Sequence, residues 1–273
     1  MASHHINEHK EYKEYMSKQY PTKQYPTQTM PTPLHVLVTG AAGVIGTAFW
    51  HSRHGEFSLR LADLHTGKLA QAPCPVIHLD VGNYAACLAA CAGIDVVLHL
   101  AGVPHAGADF DAQLLQPNII GTHNIFRAAQ AQGVKRVVFA SSAQAVEGYA
   151  PDMQVHEAMP ARPANMYGAS KAFGEGVASA FAHQFGMTAI AVRIANVAQF
   201  APGQHHSARD IAAFISERDV VQLLARCVSA DVAPGYHVVH GVSDNRYKRL
   251  SIAATRQLLG YAPQDDGFTV LGL

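Results

Sequence analysis

The sequence predicts a doubly wound parallel α/β sheet of the Rossmann type with a small C-terminal substrate-binding lobe. Three observations carry that expectation. Strand-like and helix-like segments alternate from Leu34 onward. The strand-like segments are unbroken Val/Ile/Leu runs, and the first of them ends in a glycine-rich turn that opens a helix. Unbroken apolar runs belong to strands covered on both faces, the situation of a parallel sheet between two helix layers.

The elements follow in order. "LHVLVTG" reads as the first strand, a helix runs through Trp50, and "SLRLADL" is the second strand. "CPVIHLDV" is a strand, "YAACLAACAG" a helix and "IDVVLHLAG" a strand. "NIIGTHNIFRAAQAQG" is a helix, "VKRVVFASS" a strand, "YGASKAFGEGVASAFAHQFG" a helix and "MTAIAVRIANV" a further strand. Residues 1–33 differ: they are rich in Tyr, Lys, Gln, Thr and Pro, repeat "KQYPT" at 18–22 and 23–27, and hold little aliphatic surface to bury. They read as a flexible arm ahead of a single domain spanning 34–273, with the lobe formed mainly after residue 193.

Composition narrows the function. Lys and Arg total 20 and Asp and Glu total 20, so no charge excess points to nucleic acid or a membrane surface. The 17 His residues are scattered without metal-ligand spacing, so no metal is expected. Cys74, Cys87, Cys91 and Cys227 form no CxxC and read as free thiols of a reducing, cytoplasmic compartment. No apolar run reaches the roughly 20 residues that span a bilayer.

"VTGAAGVIG" places Gly40, Gly43 and Gly46 directly between a strand and a helix. Such a turn lets backbone approach a pyrophosphate and aims the first helical N–H groups, here from Val44 and Ile45 onward, at its charge. Asp63 closes the second strand, where a carboxylate can accept both ribose hydroxyls of the adenosine half and repel a 2′-phosphate, so NAD is the expected cofactor. Asp80, with Val81 beside it, is placed either to reach the adenine or to cap a helix.

Tyr167 and Lys171 stand four apart, on one face of a helix. An ammonium near a phenol favours the phenolate, so the pair can work as a general base that also holds the nicotinamide ribose. A non-enzymatic NAD(H) sensor would need neither group.

"TGAAGVIG", "HLAG", "ASSA" and "YGASK", in this order and spacing, resemble the extended short-chain dehydrogenase/reductase family, also called the NAD-dependent epimerase/dehydratase family. The resemblance covers residues 34 to about 264. It implies that Tyr167 is the base, Lys171 its partner, Ser142 the hydroxyl that orients the reacting oxygen, and Asn118 a member of the proton relay. For Ser142 a strand-end cap, and for Asn118 a purely structural role, are the alternatives. "HLAG" adds Leu100, Ala101 and Gly102 to the cofactor site. Ala143 and Gln144 stand where dehydratases carry an Asp–Glu pair, which argues against dehydration.

Only 80 residues follow Arg193, too few for the large lobe that holds a nucleoside diphosphate, so a free sugar is the expected substrate. "PNIIGTHNIF", "ARPANMYGASKAFGE" and "FISERDVVQLL" are similar to the uronate dehydrogenase subgroup, which implies oxidation of an acidic hexose at C1 to the lactone. By that resemblance Arg209 would receive the substrate carboxylate through a bidentate pair. Ala143, Asn196 and His105 would complete the sugar site, and the loop "AQFAPGQHHSAR" brings His205 and His206 within its range. These departures suggest, as the alternative, a pocket retuned for another aldose with a different anionic group, such as the sulfonated hexose sulfoquinovose; a sugar epimerase is the second enzyme reading. The resemblance also implies a homo-oligomer.

Overall fold

The computed structural model describes residues 33–273. The expected N-terminal arm lies outside the described residues apart from its last position. Seven parallel strands form one sheet in the order β3-β2-β1-β4-β5-β6-β9. They are β1 (His35–Thr39), β2 (Ser58–Asp63), β3 (Val76–His78), β4 (Val96–His99), β5 (Arg136–Ser142), β6 (Thr188–Ile194) and β9 (Gly235–Gly241). A second, two-stranded parallel sheet pairs β7 (Asn196–Val197) with β8 (Phe214–Ile215).

Side chains of a strand point alternately to its two faces, and here both sets are apolar. Val36, Val38, Leu61, Val138 and Val192 enter one core with Phe49, Trp50, Val220 and Leu224. The intervening Leu37, Val97, Val137, Phe139 and Ala191 enter the other with Cys87, Phe126, Ala178 and Ala182. The first core is thereby covered by α1 (Val44–Arg53) and, later in the chain, α6 (Glu217–Ser229). The second is covered by α2 (Tyr84–Ala90), α3 (Thr122–Ala131) and α4 (Met166–Phe185). The predicted doubly wound fold is the observed one.

Three features go beyond the sequence expectation. The segment Phe110–Gly121, which leads into α3, is wound wide, with the Leu114 amide reaching back five residues to the Asp109 carbonyl at 3.1 Å. Pro117 sits inside it, and a residue without an N–H cannot hold a regular helical ladder. Strand β9 adds a seventh member at the edge, in parallel register with β6 from Thr188↔Gly235 to Ile194↔Gly241. The β7–β8 pair closes the loop between residues 198 and 213, which carries the short α5 (Ala208–Ala212), back onto the sheet. Two short helices, α7 (Ala253–Leu259) and α8 (Gly267–Leu271), finish the lobe.

The four cysteines are free, as expected. Among the described residues no helix is long and apolar enough to cross a membrane. No group of three or more His, Cys, Asp or Glu residues is arranged to hold a metal there.

Candidate active site

Strand order reverses between β1 and β4, and the crevice beyond the carboxyl ends of the strands at such a point is where parallel sheets bind ligands. A cavity of about 1070 Å³ opens there. It is lined from Thr39 and Asp63 at one end to Ser142, Tyr167, Lys171 and Ile194 at the other.

The glycine turn forms the nucleotide end. Gly40 has a positive φ of 69°, and a Cβ on it would stand 2.7 Å from the Ala101 amide nitrogen; a Cβ on Gly46 would stand 2.4 Å from the Gly40 carbonyl. Only glycine lets β1, the turn and the strand end after β4 close up this tightly. Helix α1 starts at Gly43 without a side-chain cap, so the leading amides of Val44, Ile45 and Gly46 stay open beside the cavity they line. Uncapped amides at a helix start suit a pyrophosphate. The Asp63 carboxylate accepts from the Ala42 amide at 2.9 Å and the His65 amide at 2.8 Å. It thereby ties the glycine turn to the loop after β2, and an ionised carboxylate with four acceptor positions still has room for ribose hydroxyls.

Asp80 and Val81 line the same end. Asp80 does not cap α2: Asn83 does, accepting from Ala86 at 3.1 Å, while Asp80 accepts from the Gly82 amide at 2.8 Å. Leu100, Ala101 and Gly102 complete the wall. The residues present therefore fit a dinucleotide.

At the other end, Ser142 terminates β5 and Tyr167 lies in the first turn of α4. Asn165 caps α4 by accepting from the Gly168 amide at 2.8 Å, and its own NH₂ donates to Gln144 Oε1 at 2.7 Å. Gly168 allows this approach, because a Cβ there would lie 2.2 Å from the Gln144 carbonyl oxygen. The start of α4 is thus clamped against the segment after Ser142, and a Ser142 hydrogen bond reaches the Tyr167 hydroxyl. Ser142 also accepts from the Gln144 amide at 3.2 Å, so it is both a strand-end cap and a partner of the tyrosine. Lys171 Nζ stands 5.7 Å from the centre of the Tyr167 ring.

The electrostatics differ from the simple expectation that Lys171 lowers the tyrosine. Burial pushes Tyr167 up, with the Ser142 hydrogen bond opposing. Burial also brings Lys171 down to about 8. Desolvation is the largest cause for both groups. Beneath them His99 is buried and held neutral, down to about 3, by burial and the Lys171 charge. Its ring bonds Thr39 Oγ1 at 2.8 Å and Thr122 Oγ1 at 3.4 Å.

Two expected residues stand apart from the cavity. Asn118, assigned to the proton relay, is buried behind the wall. Its Oδ1 accepts from the Val103 amide at 2.8 Å, and its NH₂ donates to the Val103 carbonyl at 3.2 Å and to Ser170 Oγ at 3.1 Å. With both donors and its acceptor engaged by protein, it pins the loop after β4, the structural alternative of the two. Pro117 lines the cavity in its place. His105 is exposed, accepts from the Gly107 amide at 3.1 Å, and leaves the lining to its neighbours Pro104 and Ala106.

Ala143, Asn196 and Arg209 do line the cavity. His205 and His206 are exposed, and His206 stacks on Phe200 with ring centres 4.0 Å apart. Arg209 is not open. Its Nε donates to Glu147 Oε1 at 2.9 Å, its Nη2 contacts Glu147 Oε2, and its Nη1 donates to Asp210 at 3.2 Å.

Sequence reasoning passed over several supports. Glu175 on α4 accepts from Arg193 on β6 at two positions, both 2.9 Å, and from Ser141 Oγ at 2.6 Å, all buried. This triad fixes α4 to β5 and β6. Glu147, Asn165 and Ser170 were equally unmarked, and Gln144 was noted only against dehydration; the signal available for Asn165 was its position as a cap one residue before the helix.

The model of the NAD dependent epimerase/dehydratase family matches residues 36–224. The chain is 36% identical over 249 residues to an NAD-dependent glucose-6-phosphate dehydrogenase of Haloferax volcanii, covering 85% of this chain and 93% of that protein. It is 34% identical over 241 residues to a uronate dehydrogenase of Pseudomonas putida, covering 87% of each. Among solved structures, a tyrosine mutant of the Agrobacterium tumefaciens uronate dehydrogenase complexed with NAD superimposes with a TM-score of 0.78 at 33% identity, covering 87% of each chain. The chain belongs to the NAD-dependent epimerase/dehydratase family, and within it to the NAD-dependent sugar dehydrogenases.

Proposed function

We propose that this chain oxidises the anomeric C1 hydroxyl of a free aldose to the lactone, with NAD as acceptor. The observation that carries the reading is the Ser142–Tyr167–Lys171 cluster at one end of a cavity whose other end is an uncapped glycine turn. Relatives described as glucose-6-phosphate, uronate and L-arabinose dehydrogenases support a free or phosphorylated monosaccharide over a nucleotide sugar.

In this mechanism Ser142 orients the C1 oxygen, and Tyr167, acting as the phenolate, takes its proton as the C1–O bond becomes a carbonyl and the hydride leaves C1. Lys171, buried beside the phenol, holds the ribose hydroxyls and supplies positive charge while it remains protonated. NAD, when bound, accepts the hydride that leaves C1. The glycine turn and Asp63 fix the cofactor end, so the reacting groups meet without a search for orientation. Gln144 and Asn165 hold the tyrosine and serine in register. An acidic hexose would need Arg209 to receive its carboxylate, and that guanidinium already holds Glu147.

A homo-oligomer, implied by family resemblance, is supported by Phe173 and Phe185, two aromatic side chains of α4 that are 40% and 51% exposed. Sedimentation of the purified protein tests it, and a single monomeric species at all concentrations removes the idea.

The test of the reaction is NADH formation by purified protein with NAD and glucose, galactose, arabinose, glucuronate, galacturonate and glucose 6-phosphate. Turnover with release of a lactone that hydrolyses to the aldonate or aldarate supports C1 oxidation. Absence of NADH with every sugar, alongside tightly retained cofactor, shifts the reading to an epimerase.

A further inference from the structure

We infer that Glu147 is a specificity-determining residue that holds Arg209 away from anionic substrates, so that the sugar end of the cavity takes neutral aldoses. The inference rests on the proposed C1 oxidation for its substrate class but on separate atoms for its argument.

Arg209 and Lys171 are the cationic side chains that line the cavity beyond the nucleotide end. Lys171 is committed beside Tyr167. Arg209 is therefore the group to which a sugar carboxylate, sulfonate or phosphate would turn. Three of the five N–H donors of its guanidinium, one on each nitrogen, are engaged from within. Glu147 takes two of its nitrogens in a side-by-side pair, and Asp210 takes the third. Two carboxylates against one guanidinium leave this wall with no positive charge to offer. Both members of the Arg209–Glu147 pair are mostly buried, at 24% and 22% side-chain exposure, so water screens the pair only in part. The Arg209 pKa is raised chiefly by the hydrogen bonds it donates to Glu147, in keeping with a pair made in place.

Two local structures deliver these residues from 62 positions apart. Glu147 ends the short turn Ala143–Val146 that follows Ser142, and Arg209 rides on α5 behind the β7–β8 closure. A carboxylate anchored one turn beyond the catalytic serine competes at an effective concentration that a dissolved sugar acid has to exceed. An acidic sugar entering the site would also place its charge beside Glu147, a repulsion that a neutral sugar does not meet.

The experiment compares wild type with Glu147→Gln and Glu147→Ala on matched pairs, glucose with glucuronate and galactose with galacturonate, reading kcat/KM for NADH formation. Glutamine keeps the shape and removes the charge, freeing the fork for a substrate carboxylate. The acid-to-neutral ratio is expected to favour the neutral sugar in wild type and to rise by about tenfold or more in both variants. An unchanged ratio in both, or a wild-type preference for the uronates, overturns the inference. Glucuronate binding to the enzyme–NADH complex, followed by calorimetry, reads the same question without turnover. Tighter binding in Glu147→Gln than in wild type, with glucose unchanged, supports the gate; equal binding overturns it. If no free aldose yields NADH the C1 reading fails by itself, and the calorimetric comparison still decides the role of Glu147.

Discussion

The nucleotide end and the sugar end of the cavity are built by different means. The nucleotide end is made of backbone: Gly40, Gly43 and Gly46 bring main chain to main chain, and Asp63 bonds two amides. The sugar end is made of side chains joined across long separations, such as Asn165 to Gln144 and Arg209 to Glu147. A backbone cradle depends little on the side chains around it. A side-chain end can change its charge by one substitution while Ser142, Tyr167 and Lys171 stay in place. The relatives are described as acting on different sugars: uronates, glucose 6-phosphate and L-arabinose.

The largest effect should come from breaking the sugar end alone. Tyr167→Phe keeps the ring and removes the proton acceptor, and turnover should fall by about a thousandfold or more while NAD affinity stays near wild type. Stopped assays of NADH with parallel cofactor titration check both halves; full turnover in the variant would remove Tyr167 from the chemistry.

The floor under both ends is next. Arg193 and Glu175 pair while only 3% and 6% exposed, and removal of one partner strands a buried charge. Arg193→Met should lower unfolding free energy by about 3–5 kcal/mol in a denaturant titration. A loss below about 1 kcal/mol would show that the triad is dispensable.

Lys171 stands at the junction and carries a pH signature. Its folded-state value is lowered from 10.5 to about 8 by burial. Below about pH 8 the lysine is charged in both states and the folded protein bears the whole desolvation cost. Between about 8 and 10.5 the unfolded chain binds more protons, so stability rises with pH by about 3 kcal/mol over that window. Urea titrations of the cofactor-free protein at pH 8 and pH 10 should show the rise relative to Lys171→Met, which should lack it. Parallel behaviour of the two proteins would mean the lysine is better solvated than its burial indicates.

The smallest effect should fall on the nucleotide end. Asp63→Asn leaves one amide oxygen where a carboxylate bonded two N–H groups. KM for NAD should rise by about tenfold with kcat little changed, because the loss is in binding shared by ground and transition states. A fall in kcat with unchanged KM would place Asp63 in the chemistry, against the contrast drawn between the two ends.

Much of the nucleotide end was legible because its signals are local. The glycine spacing, Asp63 at a strand end and the Tyr167–Lys171 separation are each contained in a few consecutive residues. The edge strand β9 was not read, since "GYHVVHG" mixes two histidines into a short run and its pairing partner β6 begins 47 positions earlier. His105 was placed near the sugar from its loop alone, but a two-residue turn to Gly107 holds it outward.

The sequence by itself determined the doubly wound sheet and the glycine-rich turn after its first strand, and it placed Tyr167 and Lys171 on one helix face, because period, propensity and short spacing are properties of neighbouring residues. Only the tertiary structure decided that Asn118 spends its amide on the Val103 backbone, that Glu175 and Arg193 lock α4 to the sheet, and that Glu147 occupies Arg209. A hydrogen-bonding group has the same letter whether it faces a ligand or its own chain. Which of the two it meets depends on what the fold brings within about 3 Å.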